Sequence, residues 1–271
     1  MAAARRRLDA ELVRRKLMTS RSAAQQAVAR GNVTVNGAPA PKATRMVLPG
    51  DSIEVRGPRP KYVGRGGDKL EGALKAFTID PTGWNCVDVG SSTGGFTDCL
   101  LQHGAAGVVA IDVGRAQLHN RLLRHPQVDA HEQTDVRSVD PIEIGGPFDL
   151  VVIDVSFIGL DRILDIVAAL AGPAGQILAL VKPQFEAGKK EASKGKGVIK
   201  DPDIWARVLG ETVAAARGRG LHVAGVDTSP IKGGAGNVEF FLWIGADGAG
   251  VADVVDDHAI IAAVERAGAL P

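Results

Sequence analysis

Two lysines and two carboxylates, Lys69, Asp154, Lys182 and Glu239, are of the types that could act together on a poorly acidic hydroxyl, although the chain scatters them widely. Asp154 closes the apolar run F-D-L-V-V-I-D, and Lys182 follows Q-I-L-A-L-V and precedes Pro183. Lys69 leads into the segment Leu70–Phe77, and Glu239 opens E-F-F-L-W-I. A hydroxyl oxygen that must attack carbon needs its proton removed or its lone pair aimed at the electrophile. A lysine takes that proton only as a neutral amine; a second ammonium nearby favours this form, and carboxylates oppose it while holding the amines in place. A pair of structural salt bridges is the plainer alternative, and the position of Asp154 and Lys182 at strand ends argues against it.

The second chemical stretch is V-D-V-G-S-S-T-G-G-F-T-D, residues 87–98, around which the chain is organised. A short strand from Trp84 to Val89 breaks into small residues and restarts as the amphipathic segment Phe96–His103. Glycines let a ligand approach the backbone, and a helix start offers unpaired N–H groups. Gly90-Ser-Ser-Thr-Gly94-Gly95 lacks the second glycine of the dinucleotide fingerprint and has no G-K-[ST] phosphate loop. S-adenosylmethionine suits D-x-G-x-x-x-G-G better, with its methionine end over the glycines; a bare βα turn is the alternative. The candidate cofactor set is Gly90, Ser91, Ser92, Thr93, Gly94, Gly95 and Phe96, joined by Asp112 and Val113 after the second strand and Asp135 and Val136 after the third, with Asp154 shared. Asp112 is placed to accept from both ribose hydroxyls, or else to cap a helix. A valine at Gly94 is expected to intrude on the ligand.

Alternation of strand and helix positions these groups. Arg115–Arg124 reads as helical, Val128–Gln133 as a strand, Phe148–Val155 as a strand, Ile158–Ala171 as a helix and Gln176–Val181 as a strand. Pro202 opens a helix to Arg217, and Leu221–Asp227 and Glu239–Ile244 are the last strands. Repeated βα units imply a mostly parallel, doubly covered sheet, whose ligands bind beyond the carboxyl ends of its strands. The short loop Ser229–Val238 suits a hairpin, so the last strand is expected to run antiparallel and begin, with Glu239, on the active edge. If Leu70–Phe77 packs antiparallel to the first strand, Lys69 falls there too.

Composition sets the frame. The 271 residues are 45% hydrophobic, ample for a packed core. Cys86 and Cys99 are the only cysteines and there is no His/Cys cluster, so no disulfide framework and no metal are expected, and a reducing cytoplasm fits. The basic N-terminus lacks the apolar core of a signal peptide, and the longest uncharged stretch, Ile166–Val181, is broken by Gly172-Pro173. A monomer without membrane attachment is expected. The net charge of +1 hides an asymmetry: residues 1–69 hold 15 Lys+Arg against 5 Asp+Glu, or +10, leaving −9 for the rest. A basic lobe on a mildly acidic body implies a polyanionic partner.

That lobe is patterned as a folded module. Arg7–Leu17 carries Leu8, Leu12, Val13 and Leu17 on one stripe; Ser20 caps a second helix, Arg21–Arg30; Asn36-Gly37 marks a hairpin and Leu48-Pro-Gly-Asp51 a turn before the strand Ser52–Val55. The stretch R-L-D-A-E-L-V-R-R-K-L…S-R-S-A-A-Q-Q-A-V…G-N-V-T-V-N-G…P-G-D-S-I-E-V closely resembles an S4 RNA-binding domain, which implies docking on structured RNA. No aromatic residue precedes Tyr62, so this lobe has no base-stacking platform, and arginine–phosphate contacts are expected instead. Arg5, Arg6, Arg7 and Arg21 are the first candidates for RNA contact; Arg65, Arg137 and Lys189 are secondary ones. The boundaries expected are 1–59 for the S4-like domain, 60–64 for a linker and 65–271 for the α/β domain.

The glycine loop, V-V-I-D-V-S-F, L-V-K-P-Q-F-E, G-N-V-E-F-F-L-W and the Lys-Asp-Lys-Glu set together resemble the FtsJ-like RNA ribose 2′-O-methyltransferases. With the S4-like lobe in front, nearly the whole chain is similar to the TlyA family, which also carries the name hemolysin. The resemblance implies a Rossmann-like, S-adenosylmethionine-dependent sheet and 2′-O-methylation of cytidine in ribosomal RNA of the large subunit, in some members of the small subunit as well. A membrane-active hemolysin and a non-catalytic ribosome assembly factor are the competing readings.

Overall fold

The computed structural model describes residues 5–18, 21–29, 31–57, 60–188, 191, 193, 195 and 197–270, and the chain divides into two compact units, Met1–Lys61 and Tyr62–Pro271. Ser20, the expected helix cap, lies outside the described residues.

The first unit runs β1 (Arg6–Arg7), α1 (Leu8–Arg14), α2 (Arg21–Ala29), β2 (Val33–Val35), β3 (Ala38–Pro39), β4 (Met46–Val47) and β5 (Ile53–Val55). β2 pairs antiparallel with β3 across the Asn36-Gly37 turn and with β5 on its other side, while β1 pairs with β4. Leu8 and Leu12, one turn apart on α1, are fully buried with Ala24, Val28, Val33, Val35 and Val47. α1 stops three residues before the expected Leu17, because Lys16 turns to a φ of 57° and the Leu17 N–H closes back on Leu12 O at 2.9 Å.

Two carboxylates are buried in α1. Asp9 accepts from Arg7 (2.8 and 3.1 Å), Arg21 (3.1 Å) and Gln25 (3.0 Å), and Glu11 accepts from Arg14 (2.7 and 2.8 Å) and Arg15 (2.8 Å). Buried charge is tolerated only when paired and hydrogen-bonded, and here half-exposed arginines supply the pairing from outside. The Arg7 guanidinium holds Asp9 well below the usual carboxylate range, and Arg14 with Arg15 holds Glu11 at about 2.

The second unit is built on a seven-stranded sheet. It runs α3 (Gly66–Ala76), β6 (Asn85–Val89), α4 (Gly95–Gln102), β7 (Gly107–Asp112), α5 (Asn120–Leu123), β8 (Val128–Glu132), β9 (Leu150–Ile153), α6 (Leu164–Ala171), β10 (Gln176–Val181), α7 (Pro183–Glu186), α8 (Pro202–Arg217), β11 (His222–Thr228), β12 (Phe240–Gly245) and α9 (Asp257–Gly268). The strand order is β11-β12-β10-β9-β6-β7-β8, with β12 antiparallel between its neighbours and the others parallel to one another. One face packs Val151, Ile153, Ala179 and Val181 against α6, α8 and α9; the other packs Leu150, Val152, Leu178 and Phe241 against Leu70 and Leu74 of α3 and Phe96 and Leu100 of α4. This is the expected Rossmann-like α/β sheet with its last strand antiparallel, behind a small α+β unit.

Several local expectations change. Of the helix expected at Arg115–Arg124, only Asn120–Leu123 forms, because carboxylates bind the backbone N–H groups before it. The expected strand Phe148–Val155 narrows to Leu150–Ile153, and Ile158–Ala171 begins with a 3-10 turn at Leu160–Arg162. α9 was not expected: Ile260, Ala263, Val264 and Ala267 bury one stripe of it, and Asp256 caps it by accepting from Ala259 N at 2.9 Å. Within 60–64, Tyr62 is buried in the second unit and the Val63 N–H donates to Asp98 at 2.8 Å, so the expected linker gives up its last three residues to that unit.

Depressed folded-state values make α1 acid-sensitive. A glutamate ordinarily titrates near 4.5, so the contribution of Glu11 is complete above that pH and is lost as pH falls through 4.5 toward 2. In the full-length protein, amide-exchange protection at Leu12 and Val13, corrected for intrinsic rate, should hold from pH 7 to about 5 and drop below it. Asp9→Asn with Glu11→Gln should lower protection at pH 7 and flatten this dependence. Wild-type protection unchanged down to pH 3 would contradict the assignment.

Candidate active site

The register of β10 and β12 assembles the edge. Val181 pairs with Phe240, so Lys182 and Glu239 stand opposite each other one step beyond the last paired residues. Glu239 is buried and its Oε2 lies 2.5 Å from Lys69 Nζ, which reaches it from the first turn of α3. Asp154 directly follows β9, and its Oδ1 forms an ion pair with Lys182 Nζ. Lys182 also donates to Val155 O at 2.8 Å and Ser156 Oγ at 3.2 Å, with Nζ 5.8 Å from the centre of the Phe185 ring. The four residues therefore form two cation–carboxylate pairs, Asp154 with Lys182 at the ends of β9 and β10 and Glu239 before β12 with Lys69 of α3.

Asp154 also lines a cleft of about 440 Å³ along the ends of β6, β7 and β9. Ser92, Asp112, Val113, Gln117 and Val136 line it from one side and Val155, Ser156 and Phe157 from the other. Gly90 lies at its floor with a φ of 87°, and a Cβ there would stand 2.7 Å from Asp154 O, so both conformation and crowding require glycine. Gly94 behaves differently from expectation. Its absent Cβ points 2.2 Å from Leu122 Cδ1 and 2.8 Å from Leu118 Cδ1, at a φ of 92°. A valine there would disrupt packing under the loop, and loss of ligand affinity would follow from misfolding instead of direct obstruction. Gly95 packs on the backbone of Gly66 and Gly67, Phe96 is buried 6.1 Å from Phe241, and Ser91 and Thr93 shape the loop through backbone bonds to Gly94 and His119.

The donors and acceptors of the cleft suit an adenosine. Asp112 accepts from Ser92 N (2.7 Å) on one oxygen and Gly114 N (2.6 Å) on the other, leaving each oxygen a lone pair for a vicinal hydroxyl. Ile111, Val113, Val136 and Ile158 provide apolar walls. Behind the glycine loop, the fully buried Asp88 accepts from Thr97 N (2.9 Å) and Thr97 Oγ1 (2.6 Å) with Oδ2, while its Oδ1 has no hydrogen-bond partner among the described residues; burial pushes this carboxyl up to about 7. Asp135 is held at about 2 by the Arg137 side chain, which pairs with it at 2.5 Å. Arg137, expected to touch RNA, pairs with Asp135 at the cleft and stays half exposed. Arg65, at the start of α3, donates to Lys232 O. Lys189 lies outside the described residues. Arg5, Arg6, Arg7 and Arg21 belong to the first unit; Arg7 and Arg21 bind Asp9, and Arg6 lies 3.8 Å from Glu11.

Two residues bordering or bracing the cleft were not foreseen. Phe157 is 91% exposed, adopts a φ of 68° that a bulky side chain rarely takes, and has its ring 5.0 Å from that of Phe185. Its signal was a lone aromatic after V-V-I-D-V-S. Glu132, at the end of β8, accepts from three successive backbone N–H groups, Ala116 (2.9 Å), Gln117 (2.8 Å) and Leu118 (3.2 Å). It holds in place the loop that carries Val113 and Gln117 to the cleft. Glu132→Gln should weaken binding of S-adenosylhomocysteine by roughly five- to twentyfold, since the ligand must then order the loop itself. Calorimetry showing wild-type affinity in a stably folded Glu132→Gln protein would remove Glu132 from this role.

Among known proteins, the profile of the FtsJ-like methyltransferase family matches residues 62–246 and that of the S4 domain matches residues 6–53. A Mycobacterium tuberculosis protein named 16S/23S rRNA (cytidine-2'-O)-methyltransferase TlyA is 45% identical over 243 residues, 89% of this chain and 90% of that one. Hemolysin A of Brachyspira hyodysenteriae is 36% identical, covering 86% of this chain and 97% of its own. A solved hemolysin-named structure from Streptococcus thermophilus superposes with a TM-score of 0.78 at 36% identity, covering 98% of this chain and 97% of that one. Fold, edge residues and both family matches coincide on the same segments: the chain belongs to the FtsJ-like methyltransferase family, among the TlyA proteins that carry an S4 domain in front.

Proposed function

We propose that this enzyme transfers a methyl group from S-adenosylmethionine to the 2′-hydroxyl of a cytidine in ribosomal RNA, of the large subunit and in part the small. The observation that carries the chemistry is Asp154, which lines the cofactor cleft and pairs with Lys182, so that cleft and lysine meet at one carboxylate. When bound, S-adenosylmethionine supplies an electrophilic methyl on a sulfur that leaves without acid assistance. Asp112 holds the ribose hydroxyls, Asp135 and Val136 border the base, and the Gly90–Gly95 loop carries the methionine end. Lys182 is the group nearest the attacking oxygen: it aims the oxygen's lone pair and, from its neutral amine, takes the proton as the new C–O bond forms. Asp154 orients Lys182, and Lys69 with Glu239 holds the target ribose.

The exposed Phe157 ring offers the stacking face that the first unit lacks, suited to a base swung out of its helix. The basic first unit sets RNA affinity without doing chemistry. A monomer acting on ribosomal subunits in the cytoplasm completes the reading. The hemolysin names of some relatives suggest a membrane role, but no helix among the described residues is long and apolar enough to cross a membrane.

Mapping ribose methylation in ribosomal RNA from cells with and without the protein tests the activity; no site lost on its removal would leave an assembly factor. Lys182→Ala should lower methylation by about 10²–10⁴-fold while keeping cofactor and RNA binding. Lys182→Arg separates the two roles of the lysine, because guanidinium stays charged: methylation near the wild-type rate would reduce Lys182 to a fixed cation.

Arg5, Arg6 and Arg21 changed together to Ala should weaken RNA binding and flatten its salt dependence by roughly one log-log unit per lost phosphate contact. A wild-type salt slope would place these arginines away from RNA.

A further inference from the structure

Lys182 Nζ is surrounded by oxygens that belong to the chain itself. Asp154 Oδ1 pairs with it, Val155 O accepts at 2.8 Å and Ser156 Oγ accepts at 3.2 Å. An ammonium has three N–H donors and no lone pair, so three acceptors answer to three donors. A substrate hydroxyl can reach this nitrogen only when one of them withdraws, and it donates to the lone pair exposed there once the proton directed at that acceptor has passed to solvent. Asp154 is held by charge, and Val155 O belongs to the backbone just after β9, packed beside Gly90. Ser156 Oγ makes the longest of the three contacts, turns about a single side-chain bond and belongs to an exposed residue. It is also chemically the nearest match to the newcomer, since a serine hydroxyl and a ribose 2′-hydroxyl are both alcohols on sp³ carbon.

The residue after Ser156, Phe157, sits at a φ of 68°, a strained conformation for an aromatic residue. That strain belongs to the same turn that carries Ser156 to Lys182.

We propose that in the free enzyme Ser156 Oγ occupies the position on Lys182 that the target 2′-hydroxyl takes, and that substrate binding exchanges one hydroxyl for the other. Ser156 is then a positioning residue: it keeps the lysine satisfied and aimed while no RNA is present, and lowers apparent affinity by the fraction of enzyme in which it must be displaced. This rests on Lys182 serving the 2′-oxygen, as proposed above.

The test is steady-state methylation of large ribosomal subunits purified from cells lacking the protein. Ser156→Ala should lower KM for the subunits by about three- to tenfold, the ordinary net worth of one hydrogen bond, with kcat unchanged. Ser156→Thr, which keeps the hydroxyl, should restore wild-type KM. In a Lys182→Ala background, Ser156→Ala should leave the Kd for subunits unchanged, because no partner remains to be released. Because Ser156 also lines the cleft, S-adenosylhomocysteine affinity is measured by calorimetry in the wild type and the four variants: a change there as large as the change in KM would overturn the exchange, and a smaller one supports it. A reduced kcat in Ser156→Ala would make the hydroxyl part of the reacting machinery and overturn the exchange, and so would wild-type values of both KM and kcat. A wild-type enzyme that forms no 2′-O-methyl cytidine on these subunits would instead overturn the proposed function, whatever Ser156 does.

Discussion

The active edge depends on one backbone constraint, the antiparallel pairing of Val181 with Phe240. Six strands of the sheet run one way, and their carboxyl ends can contribute residues such as Asp112, Asp154 and Lys182. A seventh parallel strand would place its first residue at the far edge. Because β12 is reversed and inserted between β10 and β11, its beginning arrives where β10 ends. Glu239 then faces Lys182 across the ladder and receives Lys69 from α3. A shift of one residue in this register would turn Glu239 to the opposite face of the sheet and leave Lys69 buried without its partner.

Burial fixes the character of the two pairs. Lys69, Glu239 and Lys182 are each less than a tenth exposed, so their charges persist only because each has an opposite charge in contact. The same rule governs the first unit, where Asp9 and Glu11 are buried under arginines. The outcome differs. In the first unit Arg7, Arg14 and Arg21 are about half exposed and the carboxylates buried, so positive charge is presented to the surroundings. At the active edge the cations are themselves buried, and neither pair is free to act as a general electrostatic patch.

The sheet, its antiparallel last strand and the convergence of Lys69, Asp154, Lys182 and Glu239 were legible because each rests on local pattern: apolar runs of strand length, a short final loop and polar residues at strand ends. What could not be read depends on side chains meeting across the fold. Glu132 looks like any acidic residue ending a strand until the loop 116–118 folds back on it, and that same contact cancels the helix that the periodicity of Arg115–Arg124 suggests. Gly94 reads as a ligand-facing glycine, but its missing side chain points at Leu118 and Leu122, which are more than twenty residues away in sequence. Arg137 reads as free basic charge because a sequence cannot show that Asp135, two residues earlier, turns to meet it. α9 is a different case: its apolar stripe and its Asp256 cap are both plain in the sequence.

The shared position of Asp154 sets a limit on how the site can work. One carboxylate borders the cleft and also pairs with Lys182. Its two duties cannot be separated by substitution: removing the charge at Asp154 alters the wall of the cleft and at the same time leaves a lysine less than a tenth exposed without its opposite charge. Gly90 adds the backbone side of the same coupling, since a Cβ there would stand 2.7 Å from Asp154 O, and the glycine loop is therefore packed directly on the strand end that carries Asp154. Cleft and lysine are thus tied together by one side chain and by the backbone beneath it.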